Sequence, residues 1–211
     1  MALPFTWKQG QHMAIVGDTG TGKSTLAEKL LQTREYVLVF RSKKDEVKWT
    51  GYRRIRKAED MSALSDSRLV LAPPLASQVR EFWLALNRVY RDGGWTPYLD
   101  ELFYLDDKLK LRDPIETLLT QGRSKHLTVV VGMQRPVQVT RFAISQCRHV
   151  LSFWQEGRDA KELAAATRPA VGDIVASLDE FEFVWFSRPR GLWRGHLDLR
   201  SGQLVGQAIN V

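Results

Sequence analysis

The sequence is poor in the features that would place it outside ordinary globular chemistry. It holds a single cysteine, Cys147. One thiol excludes an internal disulfide, and it fits a reducing, cytoplasmic setting. No apolar run approaches the roughly 18 residues that a membrane-crossing helix needs. The opening MALPFTWKQG lacks the basic-then-apolar order of a secretion signal. No repeat, low-complexity tract or composition shift marks a linker, so residues 1–211 read as a single domain. A chain of this length can bury a full core.

Negative charge is also in deficit. Thirty-one Lys and Arg residues face 24 Asp and Glu, for a formal net charge of +7. That excess favours polyanionic partners, because each phosphate neutralised releases counterions.

The chain does contain a rhythm of short apolar runs and helix-like segments. Strands are expected at His12–Val16, Tyr36–Phe40, Arg68–Ala72, Thr96–Leu99, Leu127–Val131 and Arg148–Phe153. Helices are expected at Lys23–Gln32, Ser77–Tyr90, Pro114–Gln121 and Arg158–Ala166. Within Ser77–Tyr90 the residues Val79, Phe82, Trp83, Leu86, Val89 and Tyr90 recur at helical spacing, which predicts an inward Trp83. The basic stretch Val47–Lys57 reads as irregular. Near the end, Phe181–Ser187 and Leu192–Arg200 flank the turn Arg188-Pro189-Arg190-Gly191. Apolar Trp193, Leu197 and Leu199 alternate there with Arg194, His196, Asp198 and Arg200, the period of a hairpin with one wet face. The whole pattern predicts an α/β fold, a mostly parallel sheet flanked by helices with a C-terminal β-hairpin.

GDTGTGKS, Gly17 to Ser24, meets every fixed position of G-x-x-x-x-G-K-[ST]. It follows an expected strand and opens an expected helix, the context this motif requires. Glycines allow the tight turn, backbone N–H groups face inward, and the helix N-terminus adds positive potential where phosphates sit. Gly17, Asp18, Thr19, Gly20, Thr21, Gly22, Lys23, Ser24 and Thr25 are therefore the candidate nucleotide-binding residues. Lys23 is suited to the β- and γ-phosphates, and the Ser24 hydroxyl to Mg²⁺. Downstream, TPYLDE ends a strand in two acids. Asp100 suits the Mg²⁺ shell, and Glu101 suits polarisation of an attacking water. ATP and Mg²⁺ are the expected cofactors.

GDTGTGKST, LDE and LLTQGRSKHLTVVVGMQRP together resemble the FtsK–HerA group of P-loop ATPases, which are DNA-pumping motors. The likeness runs over roughly residues 10 to 155, leaving a C-terminal extension at about 170–205. The group includes the genome-packaging ATPases of tailless, membrane-containing icosahedral viruses, and the short chain suits such a minimal motor. The resemblance implies a RecA-like P-loop NTPase of the ASCE type that assembles as a homo-oligomeric ring, taken as a hexamer. It implies that Gln134 reads the γ-phosphate. It also implies that an arginine, Arg123 or alternatively Arg148, reaches the nucleotide of the neighbouring subunit. Double-stranded DNA would be the substrate, met without sequence preference. Two basic clusters are candidates for its contacts: Lys43, Lys44, Lys48, Arg53, Arg54, Arg56 and Lys57, and the hairpin tip with Arg188, Arg190 and Arg194. A capsid vertex or a membrane-associated protein would be the docking partner, in the host cytoplasm or on the virion. The sequence departs from the group at Arg41, which stands where many relatives carry an acid. Other readings of the same motifs are a conjugative coupling ATPase, a P-loop phosphotransferase and a DNA-binding protein controlled by nucleotide.

Overall fold

The computed structural model describes residues 7–42, 49–61, 67–188, 190–198 and 203–209. Its strands form one ten-stranded sheet. Seven are parallel: β1 (Met13–Val16), β2 (Val37–Phe40), β3 (Arg53–Ile55), β4 (Arg68–Leu71), β5 (Thr96–Leu99), β6 (Val130–Met133) and β7 (His149–Ser152). β8 (Glu182–Ser187), β9 (Gly191–Leu197) and β10 (Leu204–Ile209) extend the sheet beyond β7 in antiparallel fashion. The strand order is β10-β9-β8-β7-β1-β6-β5-β2-β4-β3. β1, β2, β5, β6 and β7 are buried along their whole length, as parallel strands covered on both faces must be.

Among the described residues five helices cover one face: α2 (Gln78–Asp92), α3 (Arg112–Gln121), α4 (Arg141–Gln146), α5 (Gly157–Ala166) and α6 (Pro169–Val175). They bury Phe82, Leu86, Ile115, Leu118, Ile144, Leu163 and Val175 against the sheet. The other face carries α1 (Lys23–Leu31), through Leu26, Ala27, Leu30 and Leu31. Towards β9 that face is filled by aromatics. Trp185 and Trp193 stack at 4.4 Å and Phe153 meets Phe183 edge-on at 5.9 Å.

Several sequence expectations need correction. Trp83 is 49% exposed and Val79 48% exposed, whereas Phe82, Ala85, Leu86 and Val89 are in the core. Trp83 follows Phe82 by about 100° around the helix. The small Ala85 shifts the buried arc towards Phe82 and away from Trp83. The stretch read as irregular contains β3, whose one inward apolar side chain is Ile55. A three-residue strand with two arginines carries too little period to be read, and its charge suits a sheet edge. α4, α6 and β10 were not expected. β6 runs Val130–Met133 rather than Leu127–Val131, so Gln134 follows it immediately. Lys43, Lys44, Lys48, Leu199 and Arg200 lie outside the described residues. Among the described residues no helix is long and apolar enough to cross a membrane.

Two buried histidines tie the amino-terminal ends of the strands together. His12 Nδ1 accepts the Val129 N–H at 3.0 Å. His149 Nδ1 accepts the Trp185 indole N–H at 3.3 Å, so its Nε2 is the donor to Gln11 Oε1 at 3.0 Å. Burial lowers both imidazoles from 6.5 to about 4, helped by Arg123 for His12 and by Arg148 and Arg190 for His149. The unfolded chain therefore takes up protons between pH 6.5 and about 4 that the folded chain refuses. Stability is full above 6.5 and falls as pH drops through that window, with a slope of up to about 1.4 kcal/mol per pH unit for each imidazole. Urea midpoints should decline between pH 7 and pH 5, before most carboxylates titrate. A flat midpoint over that range would show that the imidazoles charge in place.

Candidate active site

β1 delivers the chain to Gly17 at the carboxyl edge of the sheet. The position tolerates no side chain, since a Cβ there would meet Thr21 Oγ1 at 2.6 Å and Phe153 Cβ at 3.0 Å. Gly17 N–H is held by the Met133 carbonyl at 3.1 Å. The loop then turns through two left-handed glycines, Gly20 at φ +87° and Gly22 at φ +93°. Thr21 Oγ1 donates to the Asp18 carbonyl at 2.9 Å and closes the turn. α1 begins at Lys23 with no side-chain cap. Its first N–H groups therefore point into the space that the loop encloses. Lys23 is buried beneath that space, 6% exposed.

β5 brings the acids to the same edge. Tyr98, buried in that strand, donates its hydroxyl to Asp100 Oδ1 at 3.1 Å. Burial, and then the Asp100 charge, push the Tyr98 phenol well above its ordinary 10, so it stays protonated as a donor. Tyr98 also hydrogen-bonds the Ser24 side chain. The candidate Mg²⁺ residues Ser24 and Asp100 thus share one buried hydroxyl. Glu101 lies at φ +59°, a left-handed conformation that a side chain other than glycine adopts at a cost of about 1–3 kcal/mol. Gln134 Nε2 donates to Glu101 Oε1 at 2.7 Å. β6, which ends one residue before Gln134, lies between β1 and β5. The polar residue is thereby set between the phosphate loop and the acids.

The turn after Gln134 is fixed by Asp159 of α5. One carboxylate oxygen accepts the Val137 N–H at 3.0 Å, and the other accepts Arg135 Nε at 3.0 Å. Tyr98, Gly132 and Asp159 escaped the sequence reading. Tyr98 reads as an ordinary strand aromatic, and the sequence separation of Asp159 from Arg135 carries no local signal.

The remaining candidates lie elsewhere. Arg123, just after α3, and Arg148, just before β7, line one cleft of ≈ 440 Å³ with Lys8, Gln11, His12 and Arg188. This cleft is at the amino edge of the sheet. The four residues of β1, about 13 Å of strand, separate it from the chain's own phosphate loop. Arg188 donates to the carbonyls of Ser145, Cys147 and Ala166 at 3.1, 3.3 and 3.4 Å, and so secures the start of the hairpin. Arg194 pairs with Glu182. Arg190 lines a shallow cleft with Arg168 and Trp193. Arg53 donates to the Asp60 carbonyl at 2.7 Å, while Arg54 is exposed.

Comparison with solved structures decides the architecture. The genome packaging NTPase B204 of Sulfolobus turreted icosahedral virus 2, in complex with ATP-gammaS, superposes with a TM-score of 0.70. The match covers 97% of this chain and 100% of that one at 14% identity. The chain has the P-loop NTPase fold. VirB4 of Thermoanaerobacter pseudethanolicus shares it at a TM-score of 0.59, with 12% identity, over 95% of this chain and 89% of that one. In sequence, the chain is similar to the DNA packaging ATPase P9 of Enterobacteria phage PRD1, 28% identical over 141 residues. That similarity takes in 64% of this chain, and it spans 60% of the length of the phage protein. No family model matches the chain. The fold expected from sequence, with its resemblance to viral packaging ATPases, agrees with these findings.

Gly132 tests how closely the site is packed. A Cβ there would meet the Tyr98 hydroxyl at 2.8 Å and Asp100 Oδ1 at 3.4 Å. Gly132→Ala should cost about 1–3 kcal/mol in urea unfolding. A neutral effect would mean that Tyr98 and Asp100 have room to retreat.

Proposed function

We propose that this protein is an ATPase that drives double-stranded DNA into a viral capsid, working as a ring of identical subunits. The observation that carries the reading is the Glu101 carboxylate, held 2.7 Å from the Gln134 amide beside the phosphate loop. The sequence similarity to a DNA packaging ATPase supports the biological setting.

In this reading the phosphates of ATP lie on the N–H groups of residues 17–25, and Lys23 balances the charge of the β- and γ-oxygens. Ser24 and Asp100 would hold Mg²⁺, which when bound neutralises charge between those oxygens. Two hard oxygen donors suit this ion, which takes one or two protein ligands and completes its shell with phosphate and water. Among the described residues no group of three His, Cys, Asp or Glu side chains gathers as a denser metal cage would require. Glu101 accepts a proton from the attacking water. The Gln134 amide aims that carboxylate, and a γ-phosphate within its reach would compete for the same N–H. Nucleotide state would thereby be felt at the general base.

Arg123 and Arg148 line a cleft at the sheet edge opposite the chain's own phosphate loop, which supports a role on the nucleotide of a neighbour. A guanidinium set against the developing charge is worth a factor of about 10³ to 10⁵. The net charge of +7 favours a duplex as substrate. The proposed setting is the host cytoplasm or the packaging vertex, with residues 1–211 acting as one motor domain.

Steady-state ATP hydrolysis measured against protein concentration, with and without double-stranded DNA, tests the proposal. Turnover per chain should rise with concentration and rise again with DNA. Lys23→Ala should abolish nucleotide binding. Glu101→Gln should bind ATP yet lose about 10²-fold or more in turnover. Arg123→Ala should lose activity only in the assembled state. Turnover independent of both concentration and DNA would remove the motor reading.

A further inference from the structure

The carboxyl edge of the sheet does not end at the acid pair. Beyond β5 come β2, β4 and β3, all parallel, so their carboxyl ends continue the same edge. The residues that leave those strands wall a cleft of ≈ 250 Å³. Arg41 and Ser42 come from the end of β2, Arg54 from β3 and Arg56 from just after it, and Pro73 to Leu75 from the end of β4. Three guanidiniums line this cleft, and no carboxylate is among its described lining residues. Arg54 and Arg56 are both exposed. Pro73 and Pro74 offer no N–H, so the donors on offer come chiefly from the guanidiniums.

Size and charge narrow the ligand. Convergent like charges favour an anion, and guanidinium forks match phosphate oxygens in particular. Pockets that enclose a whole small molecule usually run from about 300 to 1,000 Å³. This cleft is smaller and takes one phosphate group of something larger. Leu75, 70% exposed on its rim, gives apolar surface that suits a sugar ring better than bulk water. The cleft also adjoins the nucleotide site, because Ser42 Oγ donates to the Asp100 carbonyl at 3.5 Å.

We propose that the cleft formed by Arg41, Arg54 and Arg56 binds a backbone phosphate of duplex DNA and holds the strand beside the nucleotide site. The inference rests on the DNA-pumping reading and adds where the polymer is gripped. It gives the departure at Arg41 a physical reason, since an acid there would oppose the phosphate.

The experiment is equilibrium binding of a random-sequence duplex to the full chain across a salt series, with ATP affinity measured separately. Wild type is compared with Arg54→Ala/Arg56→Ala and with the charge-matched control Arg158→Ala/Lys161→Ala, two exposed positions on α5. Each phosphate contact contributes about one unit to the slope of log K against log salt. The cleft variant should lose about one unit of slope and keep its ATP affinity within about twofold, and the control should keep its slope. An unchanged slope in the cleft variant overturns the inference, as does an equal loss in the control. A loss of ATP affinity without a change of slope would assign the cleft to the nucleotide instead. If the wild-type chain binds no duplex, the pumping reading falls together with this one. If wild type binds and the cleft variant matches it, the inference alone falls.

Discussion

The register of β1, β6 and β5 is the constraint on which the candidate site depends. Val16 sits opposite Met133, and Leu99 opposite Val131. These pairings bring the phosphate loop, Gln134 and the acid pair out at one level of the sheet edge. A one-residue slip in β6 would turn Gln134 from one face to the other, because side chains alternate along a strand. The register is itself fixed by burial, since all four residues of β1 and of β6 are buried. Apolar packing along the strands thus sets the spacing of the polar groups beyond their ends.

A second layer of support is made of polar groups used as struts. The Tyr98 hydroxyl, kept protonated by burial, joins Ser24 to Asp100. Asp159 clamps the turn after Gln134 from a different helix. At the other end of the strands, neutral His12 and His149 pin β1, β6 and β7 together. The candidate functional groups thus stand at the carboxyl ends of strands whose amino ends are tied by buried hydrogen bonds. This matches the general placement of ligand sites in parallel sheets.

Much of this was legible in the residues. The phosphate loop and the strand ending in LDE are local patterns, each readable from a few consecutive residues. The alternation of strands and helices gave the architecture. The parts that escaped are those decided by distant partners. Trp83 follows the helical period yet faces outward, because Ala85 sets the buried arc. β3 is too short and too charged to carry a period. Asp159 acts on residues far from it in sequence, and no spacing announces it. The resemblance implied a γ-phosphate role for Gln134 but no contact with Glu101, which becomes visible only when β6 is seen between its neighbours.

The left-handed backbone of Glu101 sets two kinds of selection against each other. Glycine at that position would relieve the torsion and delete the carboxylate in one step. A screen that rewarded heat resistance alone would drift towards such a substitution, and under the proposed role of Glu101 the survivors would fold well and lose turnover. Persistence of glutamate in such a backbone would therefore mark a chain whose turnover, and not only its fold, is under selection.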